Sequence, residues 1–126
     1  MDRAAVDLFI SAITAGKRAD IESALAPDVQ VAVFRRNPSA GTENMELATT
    51  EGRTVTANQI ALVDKRIKRP KSYICVYEKY FASCRSQVAR GAGASILGIS
   101  TNGRGVSSVR ISYATFDEMY KAYVGK

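Results

Sequence analysis

AAVDLFISAITAGKRADIESALAPDVQVAVF, residues 4–34, changes its hydrophobic period from 3.6 to two within one stretch of chain. Val6, Phe9, Ile10 and Ile13 recur at helical spacing, with Arg3, Asp7, Ser11 and Thr14 on the opposite face, so a helix is expected over Asp2–Thr14. Gly16 stands where a left-handed C-terminal cap falls. Asp20 is the candidate N-cap of a short second helix ending at Ala26, with Ile21, Ala24 and Leu25 inward and Pro27 closing it. Val29, Val31 and Val33 then alternate with Gln30 and Ala32, the pattern of a half-buried strand over Val29–Phe34.

A polar loop, Asn37–Asn44, and a short strand near Met45–Thr49 follow. Thr56-Ala57-Asn58-Gln59 has the form of a capping box opening a third helix, which Ile60, Val63 and Ile67 continue and Pro70 ends. Beyond Pro70 the period is two. Ser72–Tyr77 and Tyr80–Ala89 form one predicted hairpin about Glu78-Lys79. Ala94–Thr101 and Val106–Tyr113 form another about Asn102-Gly103-Arg104-Gly105. A last capping box, Thr115-Phe116-Asp117-Glu118, starts a short helix with Phe116, Met119, Tyr120 and Tyr123 on one side. The expected fold is α+β: a cone-shaped, curved, mixed but mainly antiparallel sheet covered by three N-terminal helices, one domain over residues 1–126.

Composition removes whole classes of chemistry. The chain has no histidine, which excludes Ser-His and Cys-His nucleophile pairs and histidine metal sites. Two cysteines fit no zinc spacing, so no metal is expected. Gly91-Ala92-Gly93 begins like a dinucleotide fingerprint, but Ile96 stands at the third glycine, and no phosphate-loop motif occurs. No cofactor is therefore expected. No apolar run approaches a membrane span, and MDRAAVDLFI lacks the layout of a secretory leader, so a cytoplasmic protein is expected.

Turn positions assign sheet faces. A turn at Glu78-Lys79 pairs Cys75 with Ala82 and Tyr73 with Cys84. It puts Tyr73, Cys75, Tyr77, Tyr80, Ala82, Cys84, Ser86 and Val88 on one face, which the second hairpin extends with Ile96, Gly98, Val109, Ile111 and Tyr113. This face, free of carboxylates, is assigned to the concave side. The outer face gathers Ile74, Val76, Phe81, Leu97 and Ile99, diluted by Ser83, Arg85, Gln87 and Arg110. So apolar an outer face predicts a homodimer with Phe81, Leu97 and Ile99 near its centre. The cysteines fall diagonally, about 7–8 Å apart, and are expected as two reduced thiols.

These segments together resemble the superfamily named for nuclear transport factor 2, and within it the SnoaL-like and ketosteroid-isomerase-like proteins. The likeness lies in the opening helix, Ala-Gly turn, short helix, Pro-Asp and strand of residues 4–34. It continues in EGRTVTANQI (51–60) and in the closing hairpin NGRGVSSVRISYATFD (102–117). The resemblance implies a cone with a pocket, but the isomerases' polar positions fall on Phe9, Val33 and Ile96, all apolar here. The chain also lacks the histidine that cyclases of the SnoaL type often use, and its assigned concave face lacks the Asp-Arg-Asp set of the epoxide hydrolases of this fold.

The expected ligand is a small hydrophobic or aromatic metabolite. Tyr73, Tyr77, Ser86 and Tyr113 supply hydroxyls, and Phe9, Phe34 and Ile96 supply walls. Reactions open to such a pocket are isomerisation, cyclisation or dehydration. The cysteines have no neighbouring activator and are expected to be structural; Asp28 has turn or cap duty, and Asp64 borders the rim. The alternative is a non-enzymatic dimeric module whose basic segment, Lys65, Arg66, Lys68, Arg69 and Lys71, recognises an acidic partner or nucleic acid. With a net charge of +6 and an isoelectric point near 9.5, polyanion attraction at low salt is expected. No aromatics interleave with those cations, and the same charges complement a helix C-terminus, which disfavours nucleic acid.

Overall fold

The fold follows from the pairing of one N-terminal strand with the last described strand, seen in a computed structural model that describes residues 1–37, 40–66, 72–87 and 94–114. The elements are α1 (Arg3–Ala15), α2 (Arg18–Ala24), β1 (Leu25–Asn37), β2 (Thr42–Thr49), α3 (Arg53–Arg66), β3 (Ser72–Tyr77), β4 (Ala82–Gln87), β5 (Ala94–Asn102) and β6 (Gly105–Ala114). They form an α+β structure: a six-stranded curved sheet of order β2-β1-β6-β5-β4-β3, with three helices. Among the described strands only β1 and β6 run parallel.

Helix α1 forms where its periodicity places it. The Asp2 side chain accepts from the Ala5 N–H at 3.2 Å, and Gly16 ends the helix in the left-handed region at φ 69°. Val6, Phe9, Ala12 and Ile13 are its buried stripe. Helix α2 starts two residues before Asp20, with Lys17 at the N-cap position and no side-chain cap. It also stops before Pro27: Leu25 is already extended, and Pro27 stands exposed inside β1. Helix α3 begins at Arg53, so Thr56 lies a turn inside it with its N–H on the Gly52 carbonyl. No capping box forms; the buried Thr56 hydroxyl has no hydrogen-bond partner among the described residues. Thr54 to Glu22 (2.8 Å) and Arg18 to Asn58 tie α2 to α3.

The buried faces of the helices meet Val31 and Val33 of β1 and Leu97, Ile99, Val109, Ile111 and Tyr113 of β5 and β6. Here the second hairpin departs from expectation. Asn102 pairs with Gly105 as its turn dictates, but a bulge between Ser100 and Thr101 inserts one residue, so Ile99 pairs with Val109 and Leu97 with Ile111. One extra residue inverts every side chain beyond it. Leu97 (2% exposed) and Ile99 therefore lie in the core rather than at an outer dimer centre. Ile96 (40% exposed) and Gly98 lie on the outer face rather than in the cone.

The first hairpin differs by two residues. Its loop spans Glu78 to Phe81, closed by Glu78 N–H to the Phe81 carbonyl at 2.8 Å. Cys75 consequently opposes Cys84, Tyr73 opposes Ser86, and Tyr80 and Phe81 project from the loop. An even shift keeps the faces but changes the partners. The cysteines become a direct pair with Cα atoms 4.0 Å apart, joined as a disulfide rather than left as separate thiols. Closing so short a loop stabilises the fold by about 3 kcal/mol in the chain-entropy picture.

The expected helix from Thr115, together with Ile67, Val88, Pro70 and the Gly91–Gly93 turn, lies outside the described residues. The bulge makes a sharp prediction. Leu97→Ala should cost about 3 kcal/mol in chemical denaturation, and Ile96→Ala less than about 1 kcal/mol. The unbulged register requires the reverse order.

Candidate functional site

Hydroxyl side chains from four strands converge at one end of the concave face. In the β5–β6 ladder Ser95 pairs with Tyr113, and in the β3–β4 ladder Tyr73 pairs with Ser86. The Tyr73 and Ser95 hydroxyls are 3.1 Å apart, and the Ser95 N–H donates to the Ser86 hydroxyl at 2.9 Å. Tyr113 donates its phenolic proton to the Glu46 carboxylate. Glu46 comes from β2 through a second bulge: Val33 pairs with Leu47 and Phe34 with Met45, leaving Glu46 unopposed. Alternation along β1 puts Arg35, which pairs with Tyr113, on the same side as Val31 and Val33.

Chemically the cluster has two parts. Tyr113 and Ser95 are nearly sealed, at 1% and 3% exposure, and form its floor. Glu46 is exposed and Tyr73 half-buried, so these are the groups an entering molecule would meet. The Tyr73 phenol can donate to a ligand oxygen, the Tyr113 proton being held by Glu46, and the carboxylate can accept a proton or a further hydrogen bond.

Of the residues singled out from the sequence, Tyr73, Ser86 and Tyr113 are brought together, and the other four lie elsewhere. Phe9 is wholly buried beneath α1. Phe9, Ile99 and Cys84 expose no surface, so no water-sized void touches them and side chains fill the interior there. Phe34 is on the outer face, with the Arg110 guanidinium 4.0 Å from its ring centre, and Ile96 shares that face. The Arg110 guanidinium also pairs with Glu43 at 2.8 Å, and Ser112 donates to the same carboxylate. Asp28 lies inside β1 rather than in a turn or cap, and accepts from the Asn102 side chain at 3.1 Å across the sheet. The side chains of Asp64, Lys65 and Arg66, and all of Lys68, Arg69 and Lys71, lie outside the described residues.

Tyr77 sits at the far end of β3. Its hydroxyl donates to Asp7 of α1 and the Arg3 guanidinium stacks 4.1 Å from its ring centre. The Asp7 hydrogen bond raises the phenol above its ordinary value of 10.0, burial and the Asp7 charge add to this, and Arg3 opposes it. Tyr77 thus fastens the helix layer to β3.

Two residues of the cluster escaped the sequence: Glu46, whose position depends on the β1–β2 bulge, and Ser95, which the β5–β6 bulge turns inward. Among the described residues no group of three metal-ligating side chains occurs and no helix is long and apolar enough to cross a membrane.

No family model matches the sequence, and no curated protein matches it either. Solved structures do. A cystatin-like protein conserved in bacteria, from Silicibacter pomeroyi DSS-3, superposes with a TM-score of 0.62 at 15% identity, over 94% of this chain and 81% of its own. A candidate polyketide cyclase from Xanthomonas campestris pv. campestris gives 0.58 at 12% identity, over 88% of each chain. A protein with a ketosteroid isomerase-like fold from Catenulispora acidiphila DSM 44928, solved with trimethylamine, gives 0.52 at 13% identity, over 90% of this chain and 88% of its own. The fold is the nuclear transport factor 2-like, or cystatin-like, fold. At such identities the likeness shows fold alone. Within this nuclear transport factor 2-like cone, two positions that the resemblance aligned with isomerase polar groups, Phe9 and Val33, are core, while Ile96 faces outward.

Because the Tyr77 phenol is raised, its contribution is complete below pH 10.0 and is lost as pH rises through the folded value. Tyr77→Phe should therefore melt below wild type at pH 7, by the worth of one partly screened hydrogen bond, about 0.5–1 kcal/mol. Thermal melts at increasing pH should show the difference closing above pH 10.0.

Proposed function

We propose that the chain binds a small, largely apolar or aromatic molecule carrying one oxygen function at the Glu46–Tyr73–Ser95–Tyr113 end of the cone. The observation that supports this is convergence. Five polar side chains gather at one end of the concave face in two hydrogen-bonded groups, Tyr73–Ser95–Ser86 and Tyr113–Glu46, set beside each other by the Ser95–Tyr113 pairing. Such a combination of apolar wall and few oriented hydroxyls suits a ligand with one carbonyl or phenol. The filled interior beneath Phe9 and Ile99 limits the ligand to the rim of the cone rather than its depth.

If the site turns a substrate over, Glu46 is the group suited to accept a proton and Tyr73 the group suited to stabilise the resulting oxyanion. That arrangement serves isomerisation, cyclisation or dehydration without histidine. With 2-naphthol as probe in titration calorimetry, wild type should bind, and Tyr113→Phe and Glu46→Gln should each bind about tenfold more weakly. Equal binding by all three proteins would exclude the site.

A homodimer is the second proposal, and the outer face favours it. Ile74, Val76, Phe81 and Ile96 are each 40 to 57% exposed there, with Arg85 between the two isoleucines in the β3–β4–β5 register. The expected centre is thus Ile74, Val76 and Ile96 in place of Leu97 and Ile99. Sedimentation equilibrium at about 10 μM, well above typical dimer dissociation constants, should give twice the chain mass. Ile74→Lys/Ile96→Lys should give the single mass, and a monomeric wild type would rule the dimer out.

A further inference from the structure

Among the described strands β3 stands at the end of the sheet order, with β4 as its neighbour. Tyr77–Asp7 anchors one end of it and the Tyr73–Ser95 contact marks the other, with the Cys75–Cys84 bridge between them. The bridge shares a sheet face with the site and stands one alternation from it: Cys75 is two residues from Tyr73, and Cys84 two from Ser86. Cys84 is sealed in the core while Cys75 is half-buried. The covalent tie therefore joins a firmly held strand to the neighbouring strand that carries a binding hydroxyl.

We propose that the Cys75–Cys84 disulfide is a positioning element of the site, holding it in binding geometry when closed and releasing it when a small dithiol opens the bridge. The proposal rests on the ligand-binding reading given above. With the bridge closed, Tyr73 keeps its spacing to Ser86 and Ser95. With it open, the covalent hold beside Tyr73 is gone, and local opening of the β3–β4 ladder moves Tyr73 away from Ser95.

The chemistry balances with the reductant named. One thiolate of the dithiol attacks the accessible Cys75 sulfur, the Cys75–Cys84 bond breaks, and Cys84 leaves as a thiolate that takes a proton. The second thiol of the reductant, as thiolate, attacks the reductant sulfur of the mixed disulfide. Cys75 is released and protonated, and the reductant becomes a cyclic disulfide. Burial disfavours the Cys84 thiolate, which couples opening to fraying of the β3–β4 ladder.

The experiment measures the 2-naphthol dissociation constant of the full chain across a reduced/oxidised dithiothreitol series, at a temperature well below the melting point of the reduced form. Thiol content is read in the same samples. Affinity should fall about tenfold with the same midpoint as bridge opening, and return on reoxidation. Cys75→Ala/Cys84→Ala should bind at the weak level and ignore the redox series; if that variant does not fold, reduced wild type carries the comparison. Equal affinity with the bridge open and closed overturns the proposal even if the melting point drops, because a merely structural bridge behaves that way. No binding in either state overturns the ligand reading and this proposal with it.

Discussion

The parallel pairing of β1 with β6 brings the N-terminal helices and the C-terminal hairpin into one structure. β1 carries Val29, Val31 and Val33 to the core, and its register sets Val31 beside Val109 and Val33 beside Ile111. The pairing begins at Leu25 and Val106, where the α2–β1 junction presses on the first residue of β6. Gly105 occupies that position at φ 126°, and a Cβ there would stand 2.9 Å from the Ala24 carbonyl oxygen. Only glycine admits both the conformation and the approach. From this seam β2 extends the sheet one way and β5, β4 and β3 the other, while α1, α2 and α3 find their apolar cover on it.

Two bulges then decide what the curved face presents. In the β5–β6 ladder the insertion at Ser100/Thr101 turns Ser95, Leu97 and Ile99 inward and sends Ile96 and Gly98 out. In the β1–β2 ladder the insertion at Val33/Phe34 frees Glu46 from pairing, and Tyr113 takes up its carboxylate. Neither bulge changes the fold class. Both change its chemistry, because a strand has only two faces and one extra residue exchanges them.

Polar and apolar tasks are consequently separated along the concave side. The part under Phe9 and Ile13 is packed without voids and provides stability, whereas hydroxyls and a carboxylate gather toward Tyr73, Ser95 and Tyr113. The outer face shows a parallel division, with Arg36, Glu43, Arg110 and Ser112 linked at one side and Ile74, Val76 and Ile96 exposed at the other. The disulfide ties β3 to β4, the strands that carry Tyr73 and Ser86 on one face and Ile74 and Val76 on the other.

Much of the architecture was legible in residue order. The stripe of α1, its Gly16 cap, the valine alternation of β1 and the period-two segments after Pro70 are local signals, carried by side chains within a few positions of each other. They sufficed for an α+β cone and for Tyr73, Ser86 and Tyr113 on its concave face. The start of α3 was misplaced because Thr56-Ala57-Asn58-Gln59 satisfies a local capping pattern that tertiary burial of Thr56 overrides. Loop length in the first hairpin and both bulges were not legible at all. They are set by the register in which distant strands pair against a common core, so the Cys75–Cys84 bridge, the inward turn of Ser95 and the reach of Glu46 exist only in the folded sheet. Residue pattern determined which segments are helix and strand; long-range register, which no neighbouring residue encodes, decided which side chains meet.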